Sequence, residues 1–210
     1  MKYVSRISKI KKTTILNIFA ICLVLFGLAY ALPSLYFKYT NAGTASASPL
    51  NSSQVWGPVK STNGVPLVTG FPVSISIPGP RPAADMNVGI IPGYYDSKSK
   101  TWTLTETDAQ YAVMTPQPNN ITGNTFIYGH YRPNVFAYMH LILPGTIATI
   151  TTNNGYKFTY KFVETYAVNP GDSAVLANSN SPILTIQTCS GTFFQNRQMY
   201  IFTYQGYSKS

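Results

Sequence analysis

The strongest constraint on the fold is a strict two-residue alternation of aromatic and polar side chains near residue 160. The runs TIATITT (146–152) and YKFTYKFV (156–163) are separated by Asn153, Asn154 and Gly155. In the second run, aromatic side chains occupy every other position: Tyr156, Phe158, Tyr160 and Phe162. Such alternation is typical of a strand with one buried face, and Asn-Gly between two strand-like runs is typical of a hairpin turn. The sequence therefore predicts an antiparallel β-hairpin, because a helix would scatter these aromatics around its circumference.

Similar signals recur along the chain and indicate an all-β domain. Further strand-like runs cover residues 71–78, 125–130, 182–189 and 198–204. Helix signals are weak, with a turn or two expected in 105–114 and another in 135–141. Charged residues make up only 10% of the sequence, whereas Tyr (16) and Phe (11) are abundant, as suits strands more than disorder. We predict a closed or nearly closed β-barrel with one or two short helices.

The net charge of +9 does not indicate a nucleic-acid partner. Five of the 15 basic residues lie within the first twelve positions. From residue 39 onward, nine basic residues face six acidic ones, which leaves a net charge of +3. No basic stripe is visible there, so the sequence predicts no binding to nucleic acid.

The amino-terminal segment has the features of a membrane anchor. Residues 15–37 form a run of 23 residues without a charge, and a helix of that length spans about 34 Å, enough to cross the hydrocarbon core. The basic tail 1–14 predicts a cytoplasmic amino terminus, with the rest of the chain extracellular at the cell membrane. Alternatively, the small-x-small sequence Ala29-Tyr30-Ala31 is a signal-peptide cleavage site. Residues 38–70, rich in Ser, Thr, Gly and Pro, predict a flexible extracellular linker.

The two cysteines differ in their predicted surroundings. Cys22 lies inside the apolar run and is expected to pack as a small hydrophobe in the membrane. A disulfide between Cys22 and Cys189 is not expected, since the membrane separates them. Cys189 is then a single thiol in an oxidising compartment, which makes it a candidate reactive cysteine.

A nucleophilic cysteine needs a base and a donor for the developing oxyanion, and the sequence offers few candidates. His130 ends a predicted strand after Gly129, whereas His140 lies among apolar residues and is interpreted as structural or surface-exposed. Arg197 opens the strand that follows Cys189, so adjacent antiparallel strands could bring both side chains to one rim. Taken singly, a strand-end Cys is commonly a buried hydrophobe and a strand-start Arg is commonly solvated.

Three motifs in this order resemble the sortase family of membrane-anchored cysteine transpeptidases. TFIYGHY (125–131) is similar to the sortase strand that ends in Gly-His, ILTIQTC (183–189) to the TLxTC nucleophile motif, and Arg197 to the arginine of the next strand. Ile186 stands in place of the usual Leu, and Thr146 in place of a common Asp. The resemblance covers about residues 71–204 and implies an eight-stranded barrel, with 71–210 as the catalytic domain.

The resemblance also implies a function and a site. Cys189 would cleave an LPxTG-like signal at its Thr–Gly bond through a thioacyl intermediate, with His130 and Arg197 as the other catalytic residues and Thr188 binding substrate. The expected partners are secreted proteins with a C-terminal sorting signal and an amine of peptidoglycan or a pilin. No cofactor or metal is expected, because the carboxylates, among them Glu106 and Glu164, are scattered along the sequence.

Other functions fit parts of the sequence. The same fold could act as an exported cysteine peptidase, a thiol protease with water as the acceptor. A membrane-tethered, non-catalytic β-domain with a buried, inert Cys189 is a different class of function. A wall transpeptidase of the L,D type would carry a Ser-His-Gly-Cys-like run, which this sequence lacks.

Overall fold

A computed structural model describes residues 17–27, 59–61, 64–96, 98, 101–190 and 195–209. The chain divides into two compact units, Met1–Ala42 and Gly43–Ser210. In the first unit, residues 17–27 are helical. None of the helices in the described ranges is both long enough and apolar enough to cross a membrane. The predicted tail 1–14, most of the predicted anchor 15–37 and most of the linker 38–70 lie outside the described residues.

Eight strands of the second unit form a closed barrel, which confirms the predicted architecture. In space the barrel order is β1-β2-β5-β6-β9-β10-β8-β7, and β3 and β4 pair as a separate two-stranded sheet. The strands are β1 (Pro72–Ile77), β2 (Met86–Gly93), β3 (Tyr95–Asp96), β4 (Thr101–Trp102), β5 (Ala109–Ala112), β6 (Asn124–Tyr128), β7 (Ile147–Thr152), β8 (Tyr156–Val168), β9 (Ile183–Ser190) and β10 (Asn196–Lys209). Within the described residues, short 3-10 helices span Pro82–Ala84, Ala137–Leu141 and Ser173–Leu176.

The predicted hairpin is β7–β8. Its strands pair antiparallel, with Ile150 opposite Phe158. Gly155 in the connecting turn has a φ of 83°, a conformation that favours glycine. Phe158 and Tyr160 are fully buried, as the alternation predicts. Each such side chain stabilises the fold by about 1.5–3 kcal/mol relative to an exposed position.

Two local predictions fare differently. The segment 135–141 contains the short helix Ala137–Leu141, as expected. The expected helical turn in 105–114 is wrong, because residues 109–112 form β5. All four residues of β5 are buried, and the strand lies between β2 and β6. Burial on both faces removes the alternation that would have marked a strand.

The barrel has an interior core and a second apolar layer outside one wall. The interior is filled from all sides by side chains that include Ile75, Tyr111, Phe158 and Phe202. The outer layer includes side chains of β5, β6 and β10 and is formed by Trp102, Ala112, Phe126, Tyr128, Leu176 and Met199. Strands β5, β6 and β10 thus contribute side chains to both apolar layers.

Candidate active site

Three neighbouring strands bring the predicted catalytic residues into one row. Strand β6 pairs parallel with β9, and Tyr128 lies opposite Gln187. The backbone N–H of Gly129 still donates to the carbonyl of Gln187 at 3.1 Å, so the same register carried two residues further places His130 level with Cys189. On the other side of β9, Arg197 of β10 is the direct antiparallel partner of Cys189. Adjacent strands lie about 4.8 Å apart, so the backbones of these three residues lie next to one another at one level of the barrel.

Gly129 is required by the packing around it. A Cβ built at this position would lie 2.8 Å from a methyl carbon of Val135 and 3.0 Å from the Phe136 ring. The loop after His130 folds back at this point, and the backbone N–H of Phe136 donates to the His130 carbonyl at 3.2 Å. Gly129 therefore lets the loop pack closely against the strand end and hydrogen-bond to the His130 backbone.

Burial and charge set the protonation of the two reactive groups in opposite directions. His130 is 8% exposed, and burial lowers its pKa below 6.5, opposed by Glu106 and reinforced by Arg132 and Arg197. Burial raises the pKa of the half-buried Cys189 thiol above 9.0, and the Arg197 cation partly opposes that rise. Arg197 is itself 6% exposed, and its charge acts on both neighbours in the row.

The neutral thiol and neutral imidazole therefore dominate in the absence of substrate. From ordinary pKa values of 6.5 for the imidazole and 9.0 for the thiol, the thiolate–imidazolium pair would make up about 0.3% of the molecules near neutral pH. Both shifts lower this fraction further. The thiolate–imidazolium pair is therefore a minor population of the resting protein.

An open pocket of about 620 Å³ lies against Cys189 at this end of the barrel. Phe162 and Tyr200 contribute to its apolar wall, and Glu164 and His140 to its polar side. Nδ1 of His140 lies 2.6 Å from the carbonyl oxygen of Ala137. A carbonyl oxygen only accepts, so this nitrogen carries the proton. His140 is thus exposed and tied to its own helix, whereas His130 is the imidazole level with the thiol.

Comparison with known proteins identifies the family. A sequence profile of the Sortase domain matches residues 81–205, more than half of the chain. The chain belongs to the sortase family. The motif resemblance is thereby confirmed, and with it membership of a family of cysteine transpeptidases. No curated protein sequence matches this sortase.

Solved sortase structures share the barrel. Sortase E1 from Streptomyces coelicolor, with a tripeptide in its active site, is 21% identical with a TM-score of 0.53, covering 67% of this chain and 91% of its own. Sortase A of Listeria monocytogenes is 18% identical with a TM-score of 0.50, covering 66% and 90%. Sortase A from Actinomyces oris is 20% identical with a TM-score of 0.51, covering 72% and 91%. At these identities the likeness shows a common fold.

The structure of this sortase also places Thr188, the predicted substrate-binding residue. Thr188 alternates with Cys189 on β9, so its side chain points to the opposite face of the strand. It is 1% exposed, next in the inward-facing series of Leu184 and Ile186. Any influence of Thr188 on substrate is therefore exerted through the position of β9.

The sequence analysis did not assign a role to Glu106 and Arg132. Their side chains form a salt bridge at 2.5 Å, and Asn134 donates to the Glu106 carbonyl at 3.2 Å. These contacts tie the loop after His130 to the segment before β5, and both charges act on the imidazole. Glu106 and Arg132 are 26 positions apart and match no motif, so the sequence gives no sign of their interaction, and only the folded structure shows that they pair.

Proposed function

We propose that this sortase is a membrane-anchored cysteine transpeptidase that cleaves an LPxTG-like sorting signal between Thr and Gly. The observation that carries the proposal is the row of His130, Cys189 and Arg197 across three adjacent strands. A thiol between an imidazole and a guanidinium has both the proton carrier and the oxyanion donor that acyl transfer needs.

The first half-reaction uses each member of the row once. The Cys189 thiolate attacks the Thr carbonyl carbon, and the carbonyl oxygen becomes an oxyanion that accepts hydrogen bonds from the Arg197 guanidinium. The tetrahedral intermediate collapses as the C–N bond breaks, and the His130 imidazolium gives its proton to the leaving glycine amine. The products are a thioester on Cys189, a neutral imidazole and the released carboxy-terminal peptide.

The second half-reaction transfers the acyl group to an amine. The acceptor would be an amine of peptidoglycan or of a pilin, and the acylated partner a secreted protein with a C-terminal sorting signal. Neutral His130 takes a proton from the attacking amine, and the thiolate leaves. Thr188 supports substrate binding by holding β9, since its own side chain is turned away from the row.

The proposed location is the outer face of the cell membrane. The uncharged run 15–37 would anchor the chain, and the basic tail 1–14 would keep the amino terminus in the cytoplasm. An anchor of this kind holds the enzyme where secreted substrates emerge, which favours joining them to the wall.

The test is formation of a thioester. The full-length protein is incubated with a library of candidate sorting peptides, and the acylated protein is detected by mass. A mass increase at Cys189 with release of the carboxy-terminal fragment is expected, and Cys189→Ala should give neither. Cleavage that survives in Cys189→Ala would refute the nucleophile assignment.

A second candidate function is hydrolysis, favoured by the partial solvent exposure of Cys189, which would give water access to a thioester there. In that case water would resolve the thioester in place of an amine. Adding a primary amine to the same reaction separates the two functions, since a transpeptidase yields the amide conjugate and a peptidase yields only the acid.

A further inference from the structure

The chain enters the barrel at the end opposite the catalytic row. Segment 65–71, which leads into β1, is hydrogen-bonded to asparagine side chains at that end. The backbone N–H of Val68 donates to the side-chain oxygen of Asn120 at 2.8 Å, and the side chain of Asn154 donates to the Thr69 carbonyl at 2.8 Å. Asn120 precedes β6 and Asn154 lies in the β7–β8 turn, whereas the catalytic row lies where β6 ends and β10 begins.

Strand β8 connects the two ends and shows how far apart they are. It begins beside the β7–β8 turn, and its last residue, Val168, is the partner of Arg197. The strand from Lys157 to Val168 is about 36 Å long at about 3.3 Å per residue. Because strands of a closed barrel tilt by about 35–45°, the ends lie about 25–30 Å apart along the barrel axis. The end opposite the catalytic row, here called the tether pole, is formed by residues 65–71, 153–155 and 207–209.

Charge is distributed unevenly between these two ends. Lys157 points outward at the start of β8, and Lys209 is the last residue of β10, so both lie at the tether pole. All six acidic residues of the chain belong to the described ranges. Asp96 of the β3–β4 sheet accepts a hydrogen bond from the backbone N–H of Lys98. The other five lie toward the catalytic end: Asp85, Glu106, Asp108, Glu164 and Asp172. An anionic surface would therefore attract the tether pole and repel the acidic end.

Exposed tyrosine accompanies the lysines at the tether pole. Tyr207 is 47% exposed, and its ring lies 5.9 Å from the ring of Tyr156. The ammonium nitrogen of Lys209 lies 5.6 Å from the centroid of the same Tyr156 ring. Tyrosine at headgroup level and lysine with its charged end among the phosphates are typical of protein surfaces at a membrane–water interface.

We propose that the tether pole rests on an anionic lipid surface, with Lys157 and Lys209 contacting lipid phosphates and Tyr207 at headgroup level. The inference rests on the membrane location proposed above. An anchored chain makes this contact intramolecular, so a few weak interactions are enough to orient the barrel. A lipid surface is favoured over a soluble anionic polymer because the chain reaches the barrel at this same end. In this orientation the catalytic row faces away from the bilayer.

The orientation is tested with the full-length chain in lipid nanodiscs. A fluorophore is attached at Ser208→Cys on the tether pole or at Asn169→Cys beyond the catalytic end of β8. The background carries Cys22→Ala and Cys189→Ala, since both cysteines are free thiols. Lipids with a nitroxide on the headgroup quench only nearby fluorophores. In discs that contain phosphatidylglycerol, the label at position 208 should be quenched and the label at 169 should not. In discs of phosphatidylcholine alone, quenching at 208 should fall.

The role of the lysines is tested by removing single charges. Lys157→Gln should lower the ratio of docked to undocked molecules in the anionic discs by about fivefold, the effect of one lysine near an anionic surface. Adding Lys209→Gln should lower it by about fivefold more. Arg81→Gln is the matched control, because it removes an exposed cation next to the short helix Pro82–Ala84, and it should leave the ratio unchanged. Salt at about 1 M should abolish the docking, because it screens these charges.

The outcomes separate this inference from the proposed location. If the chain is retained in neutral discs but anionic lipid does not increase quenching at position 208, the tether pole is wrong and the location stands. If neutral discs do not retain the chain but anionic discs quench the label at 208, the tether pole stands and the location fails. Binding of soluble polyphosphate through Lys157 and Lys209, without quenching in anionic discs, would identify a polymer as the partner and overturn the lipid assignment.

Discussion

Replacing Arg197 with methionine should raise the pKa of Cys189, because it removes the cation that opposes the effect of burial. Directly opposite residues of an antiparallel pair have Cβ atoms about 5 Å apart, and Arg197 and Cys189 are such a pair. A unit charge about 5 Å from the sulfur would contribute about 3 kcal/mol at an effective dielectric constant of about 20 and less than 1 kcal/mol in bulk water. Because the guanidinium is buried and the thiol half-buried, we expect an effect on thiol ionisation between these two values, about 1.5 kcal/mol.

The sign follows from the charges. The cation stabilises the thiolate, so it lowers the pKa of Cys189 against the rise caused by burial. Methionine removes the cation and keeps an apolar side chain of similar length. Burial of the thiol is then no longer opposed by a nearby positive charge, so the pKa of Cys189 rises. Arg197→Lys retains the charge and should keep the pKa near the wild-type value.

The assay is the rate of Cys189 alkylation by iodoacetamide as a function of pH, which needs no knowledge of the substrate. Cys22→Ala is introduced throughout, because both cysteines are free thiols. The midpoint of the full pH curve is compared between variants, and not the alkylation rate at a single pH. A thiolate with a higher pKa is also intrinsically more nucleophilic, and the midpoint reports the ionisation alone. The wild-type midpoint should lie above 9.0.

Arg132→Met is the matched control. It removes a guanidinium that lowers the pKa of His130, whereas the cation that lowers the pKa of Cys189 is Arg197. Its midpoint should stay with the wild type. Equal midpoints for wild type and Arg197→Met, within about 0.3 unit, would show that the guanidinium does not face the thiol. The catalytic row would then be wrong.

Other consequences of the structure can be measured directly. His130→Ala should lower peptide cleavage by about 10²-fold or more, while His140→Ala should remain close to wild type; the reverse result would move the catalytic role to the histidine that lines the pocket. The pH profile of kcat/KM should be a broad bell, with an acid limb below 6.5 set by His130 and an alkaline limb above 9.0 set by Cys189. Glu106→Gln removes a charge that raises the pKa of His130, so the acid limb should move to lower pH; an unmoved limb would contradict this coupling. Phe158→Ala should lower the free energy of unfolding by about 3–5 kcal/mol in denaturant titrations, whereas a change at an exposed position of the same strand should stay within about 0.5 kcal/mol.

The sequence by itself identified the strands whose two faces differ, and it predicted His130, Cys189 and Arg197 as the candidate catalytic residues. The alternation in 156–163 arises because one face of the strand is buried and the other is exposed. It therefore predicts β8 from the sequence of that segment alone, without knowledge of the neighbouring strands. The motifs around His130 and Cys189 are short and contiguous, so each can be recognised from the sequence without the structure.

Tertiary structure decided what depends on distant parts of the chain. β5 gives no period-two signal because neighbours on both faces bury all its residues. The alignment of His130 with Cys189 comes from the parallel pairing of β6 with β9, strands separated by more than 50 positions. Desolvation by side chains gathered from several elements moves the pKa of His130 down and that of Cys189 up, so that it reinforces the neutral form of both groups. The burial of a titratable group and the electric field at that group depend on all the residues around it. Those residues come together only in the folded chain.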